Sequence, residues 1–409
     1  MSGLREFFRN KKVLILGLGL EGKSTLKILE DIPCEIILAD RNPDAVPDSK
    51  YKFYSGENYL DEIYDKEIDI IMKAPGIPLL GEIPGCIKEK ITSQTDLLLR
   101  FRKNTIIGVT GTKGKSTTSS LIWHILNACG KPAELIGNIG IPPLEKTFSP
   151  ETMIVCEMSC HQLEYVKSSP DIAILLNIYE EHLDHYNSFK DYRAAKENIF
   201  KFQHPGDILI QGEDEDLARY RAMIDRDKAK LRGEHNYNNM AIAIKAAVAV
   251  GCGENPSVKA AESFEGLPHR LELFAQSGGV EWVNDSISTI PRAAILAAET
   301  FPDTDTVIIG GMDRGINYAE LIDFLPKSGI INLIALPDSG YKIADALSSA
   351  DIVIYRARDM KDAVDRAVSV TKRRCILSPA AASYGFYKNF EERGERFKEL
   401  VKKAIENKR

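Results

Sequence analysis

Apolar positions in this chain fall into short unbroken runs. Each run is followed by a glycine-rich or polar turn and then by a longer stretch with helical spacing. Val13–Leu16 is the first such run. It predicts a buried parallel strand that leads through a glycine turn into a helix ending near Glu30. Glu35–Ala39, ending at Asp40, and Asp69–Met72 repeat the pattern, and Ile91 onward continues it. Thr105–Val109 starts a second series with a glycine loop and a helix over 116–129, followed by buried strands at Met153–Cys156 and Ala173–Asn177. The polar stretch 214–236 shows no strand alternation and predicts a surface connection, whereas the Ala-rich residues 235–250 predict a helix. Gly266-Leu267-Pro268 breaks the pattern. A third series follows at Val280–Val283, Thr306–Ile309, Asn332–Leu336, Asp351–Tyr355 and Arg374–Leu377. Strands alternating with helices predict an α/β chain of doubly wound parallel sheets, with domains at 1–104, 105–266 and 267–409.

Composition narrows the classes. The 409 residues are 44% hydrophobic and 27% charged, as in a soluble globular protein of more than one domain. A net charge of −6 argues against a nucleic-acid partner, and no apolar run is long enough for a membrane span. Arg5, Arg9, Lys11 and Lys12 precede the apolar run 13–20 in the manner of a signal peptide, but that run is short and leads into Glu21-Gly22-Lys23 without a small-residue cleavage site. Seven scattered Cys without a Cys-x-x-Cys fit a reducing cytoplasm, with neither a disulfide framework nor a zinc knuckle.

The chemistry concentrates in a repeated tetrapeptide. Gly-Lys-Ser-Thr occurs at 22–25 and at 114–117, each copy following an apolar run and opening a predicted helix. Such a loop cradles phosphates with backbone N–H groups and a helix N-terminus, while its Lys and Ser reach the outer phosphates and Mg²⁺. The first copy satisfies two patterns together. Gly17, Gly19 and Gly22 fit a dinucleotide fingerprint with Asp40 at the next strand tip, and Gly17 through Ser24 fits the strict phosphate-loop spacing. A diphosphate-nucleotide site, a dinucleotide site and a triphosphate site are all open to it. The second copy, in Thr110–Thr117, fails the strict spacing at Val109. Downstream of it, however, Glu157 ends a strand, His182 follows another, and Lys196 lies in a helical stretch. Each alone has an ordinary explanation: a solvated strand end, a surface His beside Asp184, an i,i+4 helix partner. Together, beyond strand ends of one predicted sheet, they face one crevice, as metal and phosphate chemistry requires.

In these residues the chain resembles the Mur ligases, ATP-dependent enzymes that add amino acids to the peptidoglycan precursor. The resemblance rests on Thr110–Thr117, Gly137-Asn138-Ile139-Gly140, Glu157-Met158-Ser159-Cys160-His161-Gln162-Leu163-Glu164, Asn177 with Glu181-His182-Leu183-Asp184, and Tyr192–Lys196. It continues through His235-Asn236 with Asn239, Leu267–Glu272, Asn284-Asp285-Ser286, Gly310–Arg314, Leu377–Ser383 and Lys388–Gly394, in order over almost the whole chain. Within the family it is most similar to the branch that adds D-glutamate to UDP-N-acetylmuramoyl-L-alanine through an acyl phosphate.

The resemblance implies a Rossmann-like N-terminal domain, a central phosphate-loop ATPase and a Rossmann-like C-terminal domain that brings the amino acid. It implies a UDP-substrate site of Gly19, Leu20, Glu21, Asp40, Arg41, Pro75 and Gly76, with Asn138, Ser159 and Gln162 toward the muramoyl-alanine end. ATP would lie on Gly111, Thr112, Lys113, Gly114, Lys115, Ser116 and Thr117. Asn236 and Asn239 would approach the adenine, and Arg270 and Asp285 would come from the third domain. Mg²⁺ would be held by Ser116 and Glu157, and a second ion by His182 and a carbamylated Lys196. Lys115, Glu157, His182 and Lys196 would carry the chemistry, and Thr289, Arg314, Ser383, Tyr384 and Phe390 would hold glutamate. A cytoplasmic monomer acting on small molecules is implied.

Departures are few. The family's N-D-S-K-[AS]-T-N reads Asn284-Asp285-Ser286-Ile287-Ser288-Thr289-Ile290, which removes a cation worth roughly 1–3 kcal/mol to a bound anion. Cys160 and His161 replace Ser-Phe, and Glu181 replaces Asp. A β-rich stretch of the family is shortened to the polar connection 210–234, with no site residue lost. These changes leave room for L-glutamate or another amino acid as substrate, or for a non-catalytic nucleotide-binding regulator. From other classes, a phosphate-loop kinase leaves Lys196 and His182 unused, a dehydrogenase lacks a hydride site, and a folylpolyglutamate-synthase-like ligase shares only the central chemistry.

Overall fold

The computed structural model describes residues 2–45, 50–79, 81–138, 141–179, 186, 188–347 and 351–407. The chain divides into two compact units, Met1–Phe264 and Glu265–Arg409. The first unit carries two parallel sheets. One is built from β1 (Lys12–Leu16), β2 (Glu35–Asp40), β3 (Lys52–Ser55), β4 (Ile70–Lys73) and β5 (Ile91–Thr92), in the order β3-β2-β1-β4-β5. The other comprises β6 (Ile106–Thr110), β7 (Ala133–Gly137), β8 (Met153–Glu157), β9 (Ile172–Leu175) and β10 (Ile208–Gln211), ordered β10-β9-β6-β8-β7. Every pairing in both is parallel, so the central strands are buried on two faces and read as continuous apolar runs.

The sequence divides this unit at 104, yet one apolar core runs through both sheets. Val13, Ile15, Leu38 and Met72 from the first join Ile106, Ile154, Cys156 and Ala173 from the second. Buried polar links add to it. The Gln94 side chain accepts from Leu144 N at 3.0 Å, and Lys73 Nζ lies 3.3 Å from Glu164 Oε2, the lysine almost fully buried. These links are invisible to local pattern because their partners are far apart in sequence.

The second unit has a six-stranded sheet of β11 (Glu272–Ser277), β12 (Val280–Asn284), β13 (Thr306–Gly311), β14 (Asn332–Asp338), β15 (Val353–Arg356) and β16 (Arg374–Leu377), in the order β11-β12-β16-β13-β14-β15. Among the described strands of this sheet, β11 and β12 pair antiparallel and the others pair parallel. Local pattern misses β3, β7, β10 and β11, which are edge strands with partly exposed, mixed sequences. The predicted surface connection 214–236 also contains a helix, Leu217–Met223, which buries Leu217 and Tyr220. Among the described residues, no helix is long and apolar enough to cross a membrane.

Candidate active site

In parallel sheets the loops after the carboxyl ends of the strands share one edge. In the first sheet the chain leaving β1, β2 and β4 carries Gly19, Leu20 and Glu21, Asp40 and Arg41, and Pro75 and Gly76 respectively. Gly17 has φ 89°, and a Cβ there would lie 2.6 Å from Ile77, so the 74–77 turn packs directly on the glycine loop. Asp40 is the organiser. Its carboxylate accepts the Leu18 N–H at 2.6 Å and the Asn42 N–H at 2.8 Å. Arg41 is exposed and pairs with Glu57 at 3.0 Å, and Leu20 is 73% exposed. Glu21 reaches the central sheet, where its Oε1 accepts from Gln162 Nε2 at 2.8 Å, and burial pushes its carboxyl above the usual range despite that bond.

The two Gly-Lys-Ser-Thr copies differ in register. The first helix spans Leu20–Leu29 with Gly19 as its cap, so Lys23 is its fourth residue and Gly22 packs against the Gly17 carbonyl, where a Cβ would clash at 1.9 Å. The sequence pattern predicts that the helix opens at this copy, but it opens before it, at Leu20. The second helix spans Lys115–Ala128 with Gly114, at φ 87°, as its cap, so Lys115 is its first residue. Only the second copy therefore sets its lysine at a helix N-terminus, where anions bind.

The second loop is held open by its neighbours. Asn177, beyond β9, accepts Thr112 N–H on its main-chain oxygen at 2.8 Å and Lys113 N–H on its side chain at 2.9 Å. The Thr112 and Tyr192 hydroxyls are 2.9 Å apart. A Cβ at Gly111 would lie 2.8 Å from Leu176, and one at Gly114 would lie 2.9 Å from Asn239 Oδ1, which places the Asn236–Asn239 pair against the loop. Lys115 Nζ donates to Gly111 O at 3.0 Å and to Thr112 O at 3.1 Å. Lys196, from helix Phe189–Lys201, donates to the same Gly111 oxygen at 2.8 Å and is 1% exposed. Ser116 and Thr117 follow in the first turn of the helix.

Glu157 ends β8 in register with Val109, at the loop's entrance. It is 1% exposed. Its Oε1 accepts from Asn138 Nδ2 at 2.7 Å, while its Oε2 is buried and has no hydrogen-bond partner among the described residues. A carboxylate oxygen left bare in a buried site is costly, and a hard cation satisfies it. Ser159 and Gln162 form a reciprocal capping box on the short helix Cys160–Leu163, just after Glu157. His182 lies outside the described residues, as do Glu181, Leu183, Asp184, Ile139 and Gly140. Asn177, Tyr192 and Gln94 are structural partners that the sequence-based site does not include. The signal for the first two is their place in the matched motifs, and Gln94 has none. A cavity of about 400 Å³ lined by Asn104, Ile106, Asp171 and His204 lies at the opposite, amino-terminal end of these strands, away from the loops.

In the second unit, Asp285 follows β12 and is buried. It accepts from Leu271 N at 3.1 Å, from Ser378 Oγ at 2.8 Å and from Ser288 Oγ, with the Arg270 charge nearby. Burial outweighs these donors and pushes its carboxyl up to about 6. Arg314 is exposed and donates to Thr289 O at 3.2 Å; Ser383 is buried and Tyr384 is 58% exposed. Ile287 is half-buried and Ile290 caps helix Pro291–Thr300 at 37% exposure.

The Asp285 shift has a sign that can be checked. Because the folded-state value lies above the unfolded 3.8, folding gains from this group below pH 3.8 and loses that gain as pH rises to about 6. Asp285→Asn is expected to remove this slope, so the variant gains on the wild type by at most about 3 kcal/mol between pH 4 and pH 7. Denaturant unfolding across that range tests it, and parallel curves for the two proteins would show that the carboxyl titrates normally.

Related proteins are known over nearly the whole chain. Residues 109–230 match the Mur ligase middle domain. A UDP-N-acetylmuramoylalanine–D-glutamate ligase of Pelotomaculum thermopropionicum is 31% identical over 97% of this chain and 98% of its own. One of Streptococcus agalactiae is also 31% identical, over 95% and 96%. Among solved structures, a MurF ligase from Thermotoga maritima in complex with ADP superposes with a TM-score of 0.58 at 17% identity, covering 99% of this chain and 97% of that one. The MurC ligase of the same organism gives 0.58 at 19%, covering 97% and 100%. With near-complete coverage at this identity, and with the phosphate loop, the buried carboxylate and the buried lysine gathered at one sheet edge, the chain belongs to the Mur ligase family.

Proposed function

We propose that the chain joins D-glutamate to UDP-N-acetylmuramoyl-L-alanine at the expense of ATP, in the cytoplasm, during peptidoglycan precursor synthesis. The convergence of the Gly111–Lys115 loop, Glu157 and Lys196 carries this reading, together with the register that leaves Lys23 away from its own loop.

A carboxylate does not condense with an amine in water because its oxide is a poor leaving group. Transfer of the γ-phosphoryl group to the muramoyl-alanine carboxylate gives an acyl phosphate. The amine then attacks it, and inorganic phosphate leaves from the tetrahedral adduct. The protein's part is positioning and charge neutralisation. Loop N–H groups from Gly111 to Thr117 and the Lys115 ammonium bind the β- and γ-phosphates. Asn236 and Asn239, beside the loop, would contact the adenine. The bare Oε2 of Glu157, with the Ser116 hydroxyl, fits a Mg²⁺ site. His182 and a carbamylated Lys196 complete a second one in this reading. When bound, Mg²⁺ neutralises phosphate charge. Lys115 and Lys196 reach one carbonyl oxygen, so the loop holds both side chains at the phosphate end. A carbamate forms when the lysine amine adds CO₂ and releases a proton, and its oxygens suit a hard cation where an ammonium would not.

The first sheet's loops bind the UDP end, with Asp40 holding the turn, and Asn138, Ser159 and Gln162 lie toward the sugar. Arg314 supplies the cation for a glutamate carboxylate, with Thr289, Ser383, Tyr384 and Phe390 around it. A second reading rests on Ile287 and Ile290: the added amino acid differs from D-glutamate. Phosphate release with UDP-MurNAc-L-Ala and a panel of D- and L-amino acids separates the two. D-glutamate is expected to give the highest kcat/KM, a different best substrate selects the second reading, and no release with any member overturns the ligase assignment.

A further inference from the structure

Among the described residues, Arg393 is the largest fully buried side chain, and none of the assigned roles uses it. It is the fourth residue of helix Phe390–Glu406. Its guanidinium reaches two other segments at once. Nε donates to Ser286 Oγ at 3.0 Å, Nη2 to Ser286 O at 2.8 Å and Nη1 to Ala381 O at 3.0 Å. Ser286 Oγ in turn donates to Phe390 O at 2.8 Å, which closes the ring onto the start of Arg393's own helix.

A third segment presses on the group. A Cβ at Gly311 would lie 3.0 Å from Nη1 and 2.5 Å from Ala382 O, and Met312 N donates to that same Ala382 oxygen at 2.9 Å. Among the described residues, Arg393 has no carboxylate within ion-pair distance. A buried guanidinium without a counter-ion is a poor way to stabilise a fold, since an apolar side chain of similar volume would avoid the desolvation cost. What it does provide is a rigid planar fork that fixes several carbonyls at once.

The segments it fixes are those that carry the proposed amino-acid residues. Ser286 lies three residues before Thr289, Gly311 three before Arg314 and Ala381 two before Ser383, while Phe390 starts the helix. We propose that Arg393 is the positioning residue of the amino-acid pocket, holding the strand-end turns after β12, β13 and β16 in one arrangement through Ser286 and Ala381. This rests on the reading that the second unit binds the amino acid. Burial lowers the Arg393 pKa to about 10, so the side chain stays cationic throughout the working pH range.

The test uses the full chain with Arg393→Lys and Arg393→Met. Methionine removes the fork, and lysine keeps a charge that cannot reach all three acceptors. KM for the amino acid is expected to rise about tenfold in R393K and further in R393M, while KM for ATP and for UDP-MurNAc-L-Ala stays within about threefold. In parallel, amide hydrogen exchange is expected to accelerate in 284–290 and 379–386 of R393M and to remain unchanged around 111–117. Should both variants fail to fold, Ser286→Ala keeps the backbone carbonyl but removes the hydroxyl link, with a rise of about threefold expected. Equal rises in all three KM values, or folded variants with unchanged amino-acid KM and unchanged exchange, overturn the proposal. Wild-type protein that releases no phosphate with any amino acid overturns the ligase reading instead, and the exchange measurement then still decides whether Arg393 orders these turns.

Discussion

Replacing Lys115 with alanine is expected to lower ATP-dependent phosphate release by about 10³-fold or more, while Lys23→Ala changes it by less than about twofold. Both lysines follow a glycine in the same tetrapeptide, so the contrast tests geometry and not composition. Lys115 is the first residue of its helix, and its ammonium bridges the Gly111 and Thr112 carbonyls. It therefore stands where the unpaired N–H groups of the helix end gather an anion. Lys23 is one turn inside its helix and exposed, so it is not at the helix end that gathers an anion. Binding of UDP-MurNAc-L-Ala by the Lys115→Ala protein, measured by calorimetry, should remain within about twofold of wild type. Loss of that binding with retained turnover would reverse the assignment of the two loops.

Glu157→Gln should lower kcat by about 10²–10³-fold and raise the Mg²⁺ concentration needed for half-maximal rate by about tenfold. The substitution is close to isosteric. The amide oxygen can keep the 2.7 Å contact with Asn138, so the side chain stays in place. What changes is the second atom: a bare carboxylate oxygen becomes an NH₂ that repels a cation. An enzyme limited only by shape would tolerate the change. A Mg²⁺ titration of the rate distinguishes the cases, and a variant with reduced kcat but an unchanged Mg²⁺ requirement would show that Glu157 acts through packing and not as a ligand.

Much of the site is legible in the sequence because phosphate loops, strand-end carboxylates and sheet edges leave local traces. The runs at Val13–Leu16, Thr105–Val109 and Met153–Cys156 are buried central strands, and parallel strands covered on both faces read as unbroken apolar stretches. Edge strands leave no such trace, since many of their side chains meet solvent. Lys196 illustrates the middle ground. Its motif suggests a role, but in sequence it is equally a helix-surface lysine. Its contact with Gly111, 85 positions earlier, exists only once helix Phe189–Lys201 packs on the central sheet and buries Tyr192 and Ile199 along with it. Arg393 lies inside a matched motif with no reading attached, because its three acceptors come from two distant turns.

The duplicated tetrapeptide marks where sequence stops and tertiary structure begins. By itself the sequence determined that each copy follows a buried strand and lies at or near a helix start, because glycine, apolar runs and helical spacing act over a few residues. It could not set the register. In the first copy Asp40, at the end of a neighbouring strand, takes the Leu18 N–H, and the chain turns early, so the helix begins at Leu20 and carries Lys23 past the loop. In the second copy Asn177 takes the N–H groups of Thr112 and Lys113 and draws the loop out until Gly114, so the helix begins at Lys115. Which backbone donors find partners on adjacent strands decides where each helix can start, and that is a property of the folded sheet edge rather than of the tetrapeptide.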